Sequence, residues 1–227
     1  MDKLWRQVKK SAKPRIKVCC IGSIEEMEMA VACGAAAVGL VSNMPSGPGV
    51  IAEGLIAEIA ARVPPGVDSF LLTCSGDAEG IIAQHGRCQT SVIQICDRLQ
   101  AGTYRDLRRA LPGIKLVQVV HVTGHESVME AVTSASDVDA ILLDSGRPAA
   151  AIKELGGTGR VHDWNISREI RQRIGVPLFL AGGLRPENVG EAVREVGPFA
   201  LDVCTGVRTE GRLDEEKLAQ FFSRAWA

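Results

Sequence analysis

The chain has 227 residues, with 26 basic and 27 acidic side chains that give a formal charge of −1. No basic stripe is interleaved with aromatic residues, so we expect neither nucleic acid nor an anionic membrane surface as a partner. Hydrophobic residues make up 46% of the chain but aromatic residues only 4%. Aliphatic side chains must therefore fill the interior, which is typical of strands buried on both faces and favours an α/β protein that binds a small molecule.

The cysteines and the N-terminus bear on compartment and metal binding. The seven cysteines, an odd number, are scattered without paired metal-ligand spacing, at positions 19, 20, 33, 74, 88, 96 and 204. This pattern argues against a disulfide framework and against a zinc site. The N-terminus is polar and basic, and no stretch approaches ~18 uninterrupted apolar residues. We therefore expect a cytoplasmic protein without a metal site or a membrane segment.

Eight short apolar runs alternate with eight longer amphipathic stretches, which predicts repeated strand–helix units. The strands are expected at 15–21, 36–41, 68–73, 91–95, 115–122, 139–144, 177–181 and 199–203. The helices are expected at 24–34, 52–63, 77–86, 102–111, 124–135, 163–174, 186–196 and 214–225. Eight such units close most simply into a (β/α)₈ TIM barrel, although a doubly wound sheet gives a similar local pattern. We assign 1–14 to an N-terminal extension and 15–227 to a single catalytic barrel domain.

Two residues at strand ends are candidates for proton transfer, because active sites of parallel barrels lie at the carboxyl ends of the strands. Cys19 lies near the end of the first strand and Asp144 ends the sixth. A Cys19 thiolate would serve as a base or nucleophile, whereas the alternative is a small buried hydrophobic residue. An Asp144 carboxyl between apolar walls would donate a proton, whereas the alternative is a helix cap or an ion-pair partner.

Other polar residues near strand ends have less distinctive patterns. Lys17 is either a functional lysine in the barrel mouth or a solvated strand start. Asp202 either binds a sugar hydroxyl or fixes its loop by accepting backbone N–H bonds. His121 ends the fifth strand, which makes it a candidate for lining the site. The histidines show no metal-binding spacing.

Three glycine-bearing runs follow the last three predicted strands. They are Gly156-Gly157-Thr158-Gly159, Gly182-Gly183 and Thr205-Gly206. Glycine lets backbone N–H groups approach a phosphate dianion closely, and barrel enzymes often bind phosphate in the loops after strands seven and eight. The combination predicts a phosphate-binding site, although each run alone is typical of an ordinary tight turn.

Five segments together resemble the phosphoribosylanthranilate isomerase family of (β/α)₈ enzymes in tryptophan biosynthesis. They are Lys17-Val18-Cys19, Leu142-Leu143-Asp144, Gly156 to Arg160 with Asp163-Trp164, Leu180 to Leu184 with Pro186 to Val189, and Asp202 to Val207. The resemblance implies that Cys19 is the general base, Asp144 the general acid, and Gly183, Thr205 and Gly206 part of the phosphate site. It also implies an Amadori rearrangement that needs no cofactor.

The first half of the chain departs from this family pattern. Cys20 stands where the family has glycine, and Gly22 where it has threonine. Residues 45–49 contain no arginine, although the family places there the arginine that holds the anthranilate carboxylate. The family's Gln-Leu-His-Gly is replaced by the sequence Gln-Ile-Cys-Asp at 94–97. Arg147, Arg160 and His121 are the candidates to replace the missing arginine.

We therefore expect an aldose–ketose isomerase that acts on an N-(5-phosphoribosyl) aryl amine, as a monomer or a homodimer. The alternatives are another phosphosugar isomerase or lyase, and a non-catalytic barrel that binds a phosphosugar. The catalytic candidates are Cys19 and Asp144. The candidates for substrate or phosphate binding are Lys17, Gly157, Thr158, Gly159, Gly182, Gly183, Asp202, Thr205 and Gly206.

Overall fold

A computed structural model describes residues 13–147, 149–150, 152–155, 157 and 159–227. Eight parallel strands form one closed barrel, in which each strand pairs with the next along the chain and β8 pairs with β1. The closing register sets Ile16 opposite Leu201 and Lys17 opposite Asp202. The strands are β1 (Arg15–Val18), β2 (Ala37–Val41), β3 (Asp68–Thr73), β4 (Val92–Ile95), β5 (Lys115–His121), β6 (Ala140–Asp144), β7 (Leu178–Leu180) and β8 (Ala200–Val203). The (β/α)₈ prediction is confirmed, and closure excludes the doubly wound sheet.

In the part of the chain that the structure describes, eight α-helices surround the barrel, one after each strand. They are α1 (Ile24–Ala32), α2 (Glu53–Arg62), α3 (Ala78–Cys88), α4 (Tyr104–Ala110), α5 (Glu126–Ser134), α6 (Trp164–Arg173), α7 (Val189–Val196) and α8 (Glu215–Ala225). Local sequence explains several starts: the side chain of Ser23 accepts from the backbone of α1, and Thr103 forms a capping box with Asp106 at the start of α4. None of the helices in the described ranges has the length and apolar content that a bilayer crossing needs.

The period-two geometry of the strands decides which residues enter the barrel. Ile16 and Val18 of β1 belong to the core between the barrel and the helices. Cys19, which directly follows β1, belongs to the cluster inside the barrel. In β6, Leu142 and Asp144 share the inward side, since Leu142 is in the inner cluster and Asp144 lines a cavity at the barrel mouth. Polar residues at inward positions near the strand ends therefore converge on one mouth.

The clearest differences from the predicted elements are in β1, at the start of helix α7 and after β8. Strand β1 ends at Val18 instead of residue 21. Helix α7 starts at Val189 instead of residue 186, because residues 186–188 form a turn and Asn188 accepts from the backbone N–H of Arg185 at 2.9 Å. A 3₁₀ helix (Thr205–Val207) and a short hairpin, β9 (Arg208–Thr209) with β10 (Arg212–Leu213), follow β8 and were not predicted. Most of the predicted N-terminal extension, residues 1–12, lies outside the described residues.

Candidate active site

The two catalytic candidates face one cavity at the carboxyl ends of the strands. Cys19 directly follows β1, Asp144 ends β6, and both line this first cavity. Both are almost fully buried, with 5% and 9% of their surface exposed. The barrel therefore brings together a thiol and a carboxyl that are 125 residues apart in the sequence, at positions from which both can reach the same small molecule.

A buried ion pair lies beneath the Cys19 thiol. Lys17 has no exposed surface, and its Nζ donates to Oδ1 of Asp202 at 2.9 Å. The ammonium also lies 5.1 Å from the centre of the Phe70 ring. A Cβ atom on Gly39 would lie 2.7 Å from Cys19 Sγ and 3.0 Å from Lys17 Nζ, so only glycine leaves room for both groups. Lys17 is thus placed below the cavity and against the thiol, not on the cavity wall.

Burial controls the protonation of the catalytic candidates. It raises the pKa of the Cys19 thiol to about 11, although the Lys17 ammonium opposes this shift. Burial also raises the pKa of Asp144, against the opposing effect of His121 and a 2.7 Å hydrogen bond from the Ser145 backbone N–H. Burial would lower the pKa of Lys17, but the Asp202 carboxylate reverses the shift and holds the ammonium form. Asp144 is therefore suited to donate a proton and Lys17 to stabilise a thiolate.

The glycine runs after β7 and β8 line the same cavity. Gly182 and Gly183 have φ values of 83° and 63°, in the left-handed region that favours glycine. A Cβ atom on Gly206 would lie 1.9 Å from the carbonyl oxygen of Leu184, so no side chain fits there. Within the described ranges, the N–H groups of Gly182, Gly183 and Thr205 donate to no protein acceptor. These groups are available for an anion.

The loop after β6 contributes the third glycine run and packs on the loop after β2. Gly157 and Gly159 line the first cavity, whereas Thr158 lies outside the described residues. A Cβ atom on Gly157 would lie 2.4 Å from Cδ of Pro48, and Ser46 donates to the carbonyl of Lys153 at 2.6 Å. The two loops therefore cover the cavity together.

The three candidates to replace the missing arginine lie in a second, neighbouring cavity. His121, Arg147 and Arg160 line it, and Cys96 lines both cavities. Arg160 forms an ion pair with Glu154. None of the three lines the first cavity, although the backbone of Arg160 directly follows Gly159 and packs against Gly183.

A disulfide joins Cys20 to Cys204 and was not expected from the sequence. It connects the loop after β1 to the loop after β8, so the expectation that argued against disulfides is wrong for this pair. Cys20 has a φ of 62°, a conformation that non-glycine residues rarely adopt. The one available signal in the sequence was that Cys20 departs from the glycine of the family pattern that this segment resembles. The pairing itself depends on barrel closure, which brings together residues 184 apart.

Sequence reasoning missed two further residues of the first cavity. Gln94 and Cys96 line it, and both are buried. Their inward direction follows from the alternation in β4, where Val92 is also in the inner cluster. Burial raises the pKa of Cys96, so this thiol stays protonated beside Cys19. The period-two pattern of β4 could have identified both residues.

Comparison with known proteins gives a consistent result. Residues 16–224 match the family described as N-(5'phosphoribosyl)anthranilate (PRA) isomerase. The chain is 37% identical over 213 residues to N-(5'-phosphoribosyl)anthranilate isomerase 2 of Methanosarcina mazei, covering 93% of each sequence. The phosphoribosyl anthranilate isomerase structure from Thermotoga maritima is similar at a TM-score of 0.77 and 28% identity, over 93% of this chain and 98% of that one.

A ligand-bound structure is also similar. It is a phosphoribosyl anthranilate isomerase in complex with reduced 1-(o-carboxyphenylamino)-1-deoxyribulose 5-phosphate. The TM-score is 0.74 and the identity 27%, over 93% of this chain and 98% of that one. Sequence and structure therefore point to the same relatives over nearly the whole length.

The disulfide generates a stability prediction. Because it closes a long loop, breaking it with Cys204→Ser should cost about 2 to 5 kcal/mol, with each kcal/mol lowering Tm by about 2 to 4 °C. Dithiothreitol should lower Tm of the wild type similarly but leave the variant unchanged. Cys33→Ser, at a free cysteine outside both cavities, is the control and should behave like the wild type. Equal Tm values for all three proteins, with and without reductant, would show that the bond does not form in solution.

Proposed function

Because the chain belongs to the phosphoribosylanthranilate isomerase family, we propose that it converts N-(5'-phosphoribosyl)anthranilate to the 1-deoxyribulose 5-phosphate product. The observation that most strongly supports this is that Cys19 and Asp144, one suited to accept a proton and one to donate it, line the same cavity. The reaction is an Amadori rearrangement, an aldose–ketose isomerisation that needs proton transfers only. The comparisons do not favour another isomerase, a lyase or a non-catalytic barrel.

Asp144 acts first, as the general acid. Its raised pKa keeps a larger fraction of the carboxyl protonated at neutral pH than in an ordinary aspartate. It protonates the furanose ring oxygen, the bond from that oxygen to C1 breaks, and the nitrogen lone pair forms the C1=N bond of a protonated Schiff base. Asp144 is left as a carboxylate.

Cys19 acts second, as the general base. Its thiolate removes the proton from C2 of the sugar, and the C2–H electron pair forms a C1=C2 bond while the nitrogen regains its lone pair. The resulting enolamine gains a proton at C1, and the C2 hydroxyl loses one to become the ketone. Two cations favour the thiolate at this stage: the Lys17 ammonium below it and the protonated Schiff base above it.

Lys17 and Asp202 support the base without contacting the reacting carbons. The carboxylate of Asp202 holds Lys17 in its charged form, and the ammonium lowers the pKa of the thiol beside it. We therefore assign Lys17 as a positioning residue, instead of the substrate-binding role expected from the sequence. Asp202 still lines the first cavity, where its second oxygen is available to a sugar hydroxyl.

The phosphate group is assigned to the loops after β7 and β8. The N–H groups of Gly182, Gly183 and Thr205, with Gly206 packed on the Leu184 carbonyl, form a site that binds an anion through backbone dipoles. Gly157 and Gly159 border it from the loop after β6. A cytoplasmic location and a monomeric or homodimeric state complete the proposal.

The first test removes the acid and the base. Cys19→Ala and Asp144→Asn should each lower kcat by ~10² to 10⁴, the range for a positioned proton donor or acceptor. Turnover of phosphoribosylanthranilate is the measurement, and Cys33→Ala is the control for loss of a cysteine elsewhere. Near wild-type kcat in both site variants would remove the pair from the mechanism.

The second test uses pH. The active state pairs a neutral Asp144 with a Cys19 thiolate, and burial raises the pKa of both groups, that of the thiol to about 11. Below the pKa of Asp144, kcat/KM should therefore rise with pH because the thiolate fraction grows. Between the pKa of Asp144 and that of Cys19, kcat/KM should stay level, because the growing fraction of Cys19 thiolate is offset by the falling fraction of protonated Asp144. Above about pH 11 it should fall.

Lys17→Met combined with Asp202→Asn removes the ion pair without leaving a buried charge. The pKa of Cys19 should then rise further. The level part of the kcat/KM profile should fall about tenfold for each pKa unit of that rise, and the decline at alkaline pH should begin at a higher pH. Lys115→Met, at an exposed lysine at the start of β5, is the control. A lower rate with an unchanged profile shape and limb position would assign the ion pair a purely structural role.

The third test concerns phosphate. Inorganic phosphate should inhibit competitively, and Thr205→Asp should abolish this inhibition because a like charge occupies the anion site. Thr205→Asn is the matched neutral variant and should retain most of the inhibition. A glycine variant is less suitable, since a Cβ atom at Gly183 would lie 2.6 Å from the backbone of Arg160. Equal inhibition of both Thr205 variants would place the phosphate elsewhere.

A further inference from the structure

The proposed substrate has two anionic ends, a sugar phosphate and an aryl carboxylate, and the first cavity suits only one. Its volume is about 70 Å³, too small for the whole molecule. Among the described residues that line it, none is a lysine, arginine or histidine. Backbone N–H groups can bind the phosphate there, but no side-chain cation is available for the carboxylate.

The second cavity adjoins the first, because the two share a lining residue. Cys96 lines both, and Ser145 and Gly146, which follow the catalytic candidate Asp144, line the second. Its volume is about 1000 Å³. In the sheet, His121 of β5 lies in register with Asp144 of β6. An aryl group attached to the reacting carbon can therefore extend from Asp144 into this second space.

The cations of the second cavity differ in their partners. Lys153 contacts Asp97, Arg160 contacts Glu154, and Arg98 contacts Glu130, so each already has a carboxylate. Arg147 also lines the cavity, and its side chain forms no ion pair with any residue that the structure describes.

The backbone of Arg147 is fixed, because its N–H donates to Glu154 O at 2.7 Å and its carbonyl accepts from Glu154 N at 3.1 Å. The backbone position from which the Arg147 side chain extends is therefore defined.

A second, independent observation comes from His121. It is 7% exposed, and its Nε2 lies 3.1 Å from the carbonyl oxygen of Cys96. A carbonyl only accepts, so Nε2 holds a hydrogen, and in the neutral form of the ring Nδ1 is an acceptor. Nδ1 is buried and has no partner among the described residues. A buried acceptor without a donor calls for a partner, and the amine N–H of a ligand in the second cavity is the partner that we assign to it.

We propose that the aryl end of the substrate occupies the second cavity, where Arg147 binds its carboxylate and Nδ1 of His121 accepts from its amine N–H. The carboxylate and the amine are neighbours on the ring of an ortho-aminobenzoate, and Arg147 and His121 both line the second cavity. Arg147 thereby determines specificity for a carboxylated aryl amine. The substrate's identity rests on the proposed function, but the binding test below does not require turnover.

The test is equilibrium binding of two ligands by titration calorimetry. One is reduced 1-(o-carboxyphenylamino)-1-deoxyribulose 5-phosphate, and the other is the same compound without the carboxylate. Arg147→Gln should weaken the first about 10- to 100-fold, the value of a charge-assisted bidentate contact, and leave the second unchanged. His121→Leu should weaken both, because both retain the amine N–H. Arg98→Gln, at an arginine in the same cavity that already has a partner, should affect neither.

The proposal would be overturned by equal loss of affinity for both ligands in Arg147→Gln, or by wild-type affinity for the carboxylated ligand in that variant. A wild type that does not distinguish the two ligands would also overturn it. Failure of the proposed function would be separate, since it would appear as absent turnover by a protein that still binds the carboxylated ligand in the predicted way.

Discussion

The pairing of β8 with β1 is the constraint on which the site depends. It sets Lys17 opposite Asp202 inside the barrel, and their 2.9 Å ion pair keeps a positive charge beneath Cys19. A buried lysine without that carboxylate would lose its proton, and a buried thiol without that ammonium would be a poorer base. The strand pairing that closes the barrel therefore also places the ion pair on which the proposed base depends.

In the proposed function, the two ends of the substrate are bound by different kinds of group. Around the phosphate, backbone N–H groups in glycine turns provide the positive potential, and the close packing of Gly206 on Leu184 leaves no space for a side chain. At the aryl end, side-chain charge is concentrated in a larger cavity that also contains a buried histidine acceptor. Asp144 lies between the two regions, next to His121 in the sheet. In the proposed function, this division provides an aryl-carboxylate site in a barrel that has no arginine in residues 45–49.

Local patterns predicted most of the fold. Apolar runs and amphipathic stretches identified all eight strands and helices, and strand-end positions identified Cys19 and Asp144 as residues of one mouth. Interactions between distant residues were not predictable in the same way. The Lys17 ion pair and the Cys20–Cys204 disulfide each depend on the closing register, which no local pattern encodes. The division into two cavities depends on how the loops after β2 and β6 pack, which is also a long-range property.

The most direct measurement is a crystal structure of the protein with reduced 1-(o-carboxyphenylamino)-1-deoxyribulose 5-phosphate. We expect C1 and C2 of the ligand to lie between Cys19 Sγ and the Asp144 carboxyl. The phosphate should contact the N–H groups of Gly183 and Thr205, and the benzoate should extend into the cavity lined by His121. A ligand whose sugar carbons contact neither Cys19 nor Asp144 would contradict the central claim that these two residues perform the proton transfers.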